Sequence, residues 1–318
     1  MLRIFRNLGT TIQEQPISET ENYAESLASA LWVDVYEPTE DEREMLNSFL
    51  RAELPVSEDV EEIEFSARYF QDSAGLHVHS LFLSPAEGRH TTVTVAFILQ
   101  PHRLITVREG ELIDFRLLRM RARRGQVMAA SPQELLINIF EQKVENLADV
   151  LEDIHRKLED VSHLVLEEND ADLEDAIDKL AKLEDSNGKV RLCLMDTQRS
   201  ISFMQRHLRE HFELQETARE IKRDVDTLMS HTAFLFDKIN FLMDSTQGFI
   251  SIEQSQVIKT FSIAAVVFLP PTVVASVYGM NFDLMPELHW KYGYIWALII
   301  MVLAGIAPYW YFKRKGWL

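Results

Sequence analysis

The chain has 318 residues, a formal net charge of −18 and one cysteine, Cys193. That length accommodates a large soluble part plus a membrane anchor, and the charge disfavours nucleic acid as a partner while suiting cations. A single cysteine excludes an intramolecular disulfide and a thiolate metal site within one chain.

The opening Met1-Leu-Arg-Ile-Phe-Arg lacks the long apolar core of a signal peptide, so targeting is expected to rest on later segments. Up to about Arg51 polar turns mix with short apolar pieces. Leu31–Tyr36 alternates like a strand and Pro38 ends it. Thr39 then caps a helix through Leu50, with Glu40, Asp41 and Glu42 in the first turn.

From Ile63 the period becomes two. Ile63–Phe70, Leu76–Leu83, Thr91–Ile98 and Arg103–Val107 read as strands, with turns at Gln71–Gly75 and Ser84–Gly88. The pattern is that of an α+β domain, a mixed or antiparallel sheet flanked by helices. The basic island Phe115–Arg124 is read as a helix whose arginines pair with acidic neighbours rather than as a phosphate patch.

After Ser131-Pro132 the pattern is helical, and proline favours the first helical position. Apolar residues from Leu135 to Val161 make one helix. Glu167–Asp175 makes a hairpin tip, and Ile177 to Ile201 make a second helix. After a break near His211–Gln215 a third pattern starts at Thr217 and meets no clear stop before Pro270. Run on to Val277, it would be roughly 90 Å long at 1.5 Å per residue. Such a helix cannot bury its own apolar positions, so self-association is expected. The organisation expected is an α/β part at 1–130, a helical hairpin at 131–216 and a stalk continuing into a first span at 217–278. A loop at 279–291, a second span at 292–312 and a basic end at 313–318 complete it.

Phe261–Val277 and Tyr292–Phe312 are the two segments able to cross a bilayer. The second has Trp and Tyr near both ends, as interfacial belts do. Lys259 precedes the first span and Lys313, Arg314 and Lys315 follow the second, which puts both flanks in the cytoplasm and the 279–291 loop outside. Ser255, Ser262, Leu269, Thr272 and Ser276 share one face of the first helix. Small and hydroxyl side chains in a stripe serve either tight helix packing or the wall of a pore. Neither span holds a charged residue, which argues against a proton relay. The short loop between the spans carries Gly279, Met280, Asn281, Asp283, Met285 and Glu287.

At Tyr278-Gly279-Met280-Asn281 the sequence resembles the CorA-type magnesium transporter family. The resemblance extends through Phe282–Leu288, includes Phe268-Leu-Pro-Pro-Thr272 and the terminal Tyr311–Lys315, and spans essentially the whole chain. It implies a homopentameric funnel in a bacterial inner membrane with both termini cytoplasmic. The first span of each subunit would line the pore and the second would pack outside it. The family's selectivity ring falls on Asn281, with Gly279 and Met280 shaping the turn. The pore face falls on Ser255, Ile258, Phe261, Leu269, Thr272 and Ser276, and the inner mouth on Asp244. Where the family commonly has an amide and a methionine on the inner half of this face, Ser255 and Ile258 stand instead.

Mg²⁺ sheds its water reluctantly, so a neutral ring of amide oxygens can hold the hydrated ion without stripping it. Asp283 and Glu287 would concentrate cations at the mouth. The resemblance implies influx of Mg²⁺, with Co²⁺ and Ni²⁺ as accessory ions, closed by Mg²⁺ bound between neighbouring cytosolic parts. The family's regulatory carboxylates fall on Glu58 and Asp59, with a stalk partner at Glu220, or at Asp224 one turn on.

Rival readings are a zinc or other divalent-cation transporter of the same superfamily and a non-conducting membrane-anchored helical scaffold. His77 and His79 share a strand face, but the histidines give no paired helical spacing of the kind a zinc site favours. With no nucleophile elbow, phosphate loop or Gly-rich dinucleotide turn, an enzyme is not expected.

Overall fold

The structure, a computed structural model, describes residues 1–9, 11–15, 23–50, 68–86, 88–167, 172–208, 211–280, 285–286 and 290–316. These fall into two compact units, Met1–Met243 and Asp244–Leu318.

The first unit is built on a seven-stranded mixed sheet: β1 (Leu2–Leu8), β2 (Thr11–Gln15), β3 (Trp32–Tyr36), β4 (Tyr69–Gln71), β5 (Leu76–Ala86), β6 (Arg89–Leu99) and β7 (Leu104–Arg108). The order is β2-β1-β3-β7-β6-β5-β4. Only the β3–β7 pair is parallel among these strands, with Trp32 opposite Leu104. Strand alternation divides the core. Trp32, Phe97 and Leu104 point to one side, where Phe82, Phe115 and Phe140 join them. Val33, Ile98 and Ile105 point to the other, against Leu27 of α1 (Tyr23–Ala28) and Leu46 of α2 (Glu40–Leu50).

Thr39 caps α2 as expected: its Oγ1 accepts from the Glu42 amide at 3.3 Å, and Glu42 Oε2 accepts from the Thr39 amide at 3.0 Å. At the β4–β5 turn Asp72 Oδ1 accepts from the amides of Ala74 and Gly75, at 2.8 and 3.1 Å. Gly75 has φ +147°, and a Cβ there would stand 2.5 Å from the Leu99 carbonyl oxygen. Only glycine fits both demands.

The expected turn at Ser84–Gly88 is shorter, because β5 continues to Ala86 and pairs it with Arg89. Of the expected strand Ile63–Phe70, residues 63–67 lie outside the described residues. The strands β1 and β2 do not stand out in the local pattern; β1 gains its place by antiparallel pairing with β3.

The basic island forms α3 (Ile113–Arg123). Arg119 is buried and binds Asp34 Oδ2 at 3.2 Å and Glu111; Arg123 binds Glu14 at 2.5 Å. These are structural pairs, as expected.

Three long helices follow: α4 (Pro132–Glu167), α5 (Leu173–His207) and α6 (Phe212–Tyr278). The break between the second and third precedes the expected His211–Gln215 segment, because residues from Phe212 are already helical. Leu147, Leu151, Leu180, Leu194, Val225 and Leu235 join the first unit's core. A polar network lies inside it. Lys143 is 1% exposed, and its Nζ donates to Ser80 Oγ at 2.9 Å and stands 3.7 Å from Asp196 Oδ2. Asp196 Oδ2 also accepts from Ser80 Oγ at 2.5 Å and from the Leu81 amide at 2.8 Å, so the buried charge is matched.

Candidate functional site

The second unit holds the end of α6 and α7 (Gly293–Arg314), the two helices long and apolar enough to cross a membrane among the described residues. Almost none of either apolar stretch is buried within the chain. Trp290, Tyr292, Tyr294 and Trp296 are exposed near one end of α7, and Tyr309, Trp310 and Tyr311 near the other.

The apolar part of α6 has two faces. Ile263, Val267, Pro270, Pro271, Val274 and Tyr278 are shielded, at helical spacing. Gly305 of α7 sits against this side: a Cβ there would be 3.4 Å from Pro271 Cγ and 3.8 Å from the Val267 carbonyl oxygen. Proline at 271 has no N–H to offer that carbonyl, and the residue facing it has no side chain. On α7, Gly293, Ala297 and Gly305 are shielded too. Small residues let the two backbones approach.

Ser255, Ile258, Phe261, Leu269, Thr272 and Ser276 are all exposed, Phe261 at 73%. At 100° per residue their mean direction lies about 180° from the face that meets α7. Two hydroxyls along this stripe are held to the helix: Ser255 Oγ donates to the Ser251 carbonyl and Thr272 Oγ1 to the Phe268 carbonyl, both at 2.8 Å. With each proton directed back into the helix, the outward lone pairs remain acceptors. Acceptors suit the water protons that surround a cation.

Asp244 is exposed on α6. The helix ends at Tyr278, with the Gly279 amide donating to the Ala275 carbonyl at 2.9 Å. A Cβ on Gly279 would stand 3.1 Å from the same oxygen, so a side chain would crowd this exit. Met280 is 44% exposed. Asn281, Asp283 and Glu287 lie outside the described residues, as do Glu58 and Asp59.

Glu220 and Asp224 are exposed one turn apart on α6. The structure brings them towards Glu141 and Glu145 of α4, which the sequence reading did not single out. The Glu141 carboxyl is held above the usual range, first by desolvation and then by the charges of Glu145, Glu220 and Asp224. Among the described residues no group of three or more His, Cys, Asp or Glu side chains is placed to hold a metal ion. His77 and His79 do share a face and are buried, His77 stacked on Phe70 and His79 edge-on to it, but His77 Nε2 is engaged by Asp72 Oδ1 at 2.9 Å. Burial pushes His79 down to about 4, which makes it a neutral core residue.

The profile of the CorA-like Mg2+ transporter protein family matches residues 28–314. The chain belongs to this family. It is 50% identical over 297 residues to the magnesium transport protein CorA of Pectobacterium atrosepticum, covering 93% of this chain and 94% of that one. The CorA protein of Escherichia coli K12 matches with the same identity and coverage. Among solved structures, the complete CorA magnesium transporter of Methanocaldococcus jannaschii matches with a TM-score of 0.74 at 16% identity, covering 100% of this chain and 99% of that one. The family match runs through the whole stripe, the Gly279-Met280 exit and all but the end of the basic tail. The side of α6 turned away from α7 is exposed along the stripe.

Proposed function

We propose that the chain conducts Mg²⁺ into the cell through a homopentameric pore lined by the exposed stripe of α6. As a CorA-like family member it is a magnesium transport protein, and its two apolar helices supply the membrane part. The observation that carries the pore reading is the division of α6. One face is taken by α7, and the opposite face, from Ser255 to Ser276, stays open with its hydroxyl oxygens outward. Several copies around one axis would turn that face inward and leave α7 towards lipid.

In this reading Asn281 supplies the amide oxygens that select a largely hydrated ion, with Gly279 and Met280 holding the turn. Asp283 and Glu287 raise the local cation concentration. Phe261 and Leu269 form the hydrophobic constrictions, and Asp244 receives the ion at the inner mouth. Co²⁺ and Ni²⁺ pass as accessory ions. The protein sits in the bacterial inner membrane with both termini in the cytoplasm.

Closure is assigned to Mg²⁺ held between cytosolic parts of neighbouring subunits by Glu58, Asp59 and the stalk pair Glu220 and Asp224. Carboxylate oxygens are the ligand class Mg²⁺ prefers. The crowding of carboxylates around Glu141 supports the logic: a divalent cation relieves their repulsion, and its loss restores it.

The test uses the buried Cys193, the sole native cysteine, as a silent background. Thr272→Cys and Val267→Cys proteins are reconstituted in liposomes and treated with a charged thiol reagent. Modification should block Mg²⁺ uptake at 272 and leave it unchanged at 267. Block at 267 alone overturns the pore face, and no uptake by the unmodified wild-type protein favours a non-conducting anchor.

A further inference from the structure

A cavity of about 720 Å³ lies in the first unit between the β5–β6 hairpin and the paired helices α4 and α5. Its size is that of a small-molecule site. The floor is apolar, formed by Ile154, Val161 and Leu183. The rim gathers cations: Arg89 on the hairpin, Lys157 on α4, and Lys179 and Lys182 on α5, beside the carboxylates of Asp153 and Asp160. With Asp175 and Asp178, which pair Lys179 and Lys182, four cations meet four carboxylates, a local balance in a chain of net charge −18.

The cations are free to turn to a ligand. The Arg89 guanidinium has no hydrogen-bond or ion-pair partner among the described residues. Lys157, Lys179 and Lys182 pair only with the carboxylate four residues back on their own helix, at 2.6, 2.6 and 2.5 Å. Such exposed pairs are worth little and exchange readily for a stronger anion. One polar group is fixed inside. His90 Nδ1 lies 3.1 Å from Oγ of Ser186, which is 4% exposed, so the other ring nitrogen is left for the cavity. Burial and then Lys157 hold His90 below its ordinary range, and an anion would reverse that bias.

We propose that this cavity binds a phosphate monoester of nucleotide size, with the phosphate between Arg89, Lys157 and Lys182 and the apolar body on the Ile154–Leu183 floor. Bound there, it would tie the hairpin to α5 beside Asn187, whose Nδ2 donates to the Thr232 carbonyl of α6 at 3.0 Å. Ligand binding would therefore act one residue from a contact with the stalk.

The test titrates AMP, adenosine and inorganic phosphate into the purified full-length protein in detergent, by calorimetry and by hydrogen exchange. AMP should bind at least about tenfold more tightly than adenosine or phosphate, because only AMP uses both rim and floor. It should slow exchange in the hairpin near Arg89 and in α5 near Ser186. Arg89→Glu combined with Lys182→Glu should weaken AMP at least about tenfold while the circular dichroism spectrum stays unchanged. Leu183→Trp, which fills the floor and keeps the charges, should weaken AMP and spare phosphate. Phosphate binding as tight as AMP, heat without local protection, no heat at millimolar AMP, or the double variant binding normally would each overturn the proposal.

Discussion

Replacing Asp114 by asparagine should stabilise the protein above neutral pH. Asp114 lies in the first turn of α3 with 2% exposure. Among the described residues its Oδ1 has no hydrogen-bond partner, and Oδ2 accepts only a long 3.4 Å bond from Asn146 Nδ2. Burial pushes its carboxyl from 3.8 up to about 7, with nearby Lys143 opposing the rise. The folded state thus favours the protonated form. Its contribution is complete below the unfolded value and is lost as pH rises through 7. The difference between 3.8 and 7 corresponds to about 4 kcal/mol at 1.36 kcal/mol per pH unit. Asp114→Asn keeps the shape and removes the titration. Melting of the full-length protein followed by circular dichroism should give matching midpoints only below about pH 4, under the unfolded value of 3.8. At pH 8.5 the variant should gain roughly 2 °C per kcal/mol, several degrees in all. A gap independent of pH, or a more stable wild type at pH 8.5, would refute the burial argument.

Three further outcomes are expected. Asn281→Ala should abolish Mg²⁺ uptake in proteoliposomes while membrane insertion and assembly stay intact; normal uptake would remove Asn281 from the filter. Asp59→Asn should weaken closure by cytosolic Mg²⁺, seen as current persisting at concentrations that silence the wild type, and an unchanged dose response would exclude it from the sensor. Gly75→Ala should destabilise the first unit by about 1–3 kcal/mol, since the new Cβ meets the Leu99 oxygen at 2.5 Å in a backbone region that favours glycine; a melt equal to wild type would sink that reading.

The sequence revealed features whose cause is local. The cap of α2 needs only Thr39 and Glu42, three residues apart. The stripe on α6 is legible because one helix with a fixed period carries all of it. The face that meets α7 was harder: its partner contact depends on Gly305, across the inter-span loop. The N-terminal strands were obscure for a related reason. Thr11–Gln15 has one apolar residue, Ile12, and becomes a strand by pairing with β1. The basic island resolved only through Asp34, far back in the chain, which receives Arg119. The carboxylates gathered at Glu141 come from α4 and α6, whose spacing in sequence gives no sign of their approach. The cations around the cavity likewise come from a hairpin and two helices.

Pro270 and Pro271 sit inside α6. Each lacks the N–H that would close a rung of the helix ladder, so two successive rungs are open at this height. A helix resists bending through those rungs, and the same rod is more compliant here than a turn above or below. Leu269, one of the side chains assigned to a constriction, precedes the compliant point, while Thr272 and Ser276 follow it. A small change of angle at the prolines would therefore reorient Leu269 against the outer hydroxyls without unwinding either half of the helix. Its mechanical role would differ from that of its neighbours although its packing does not.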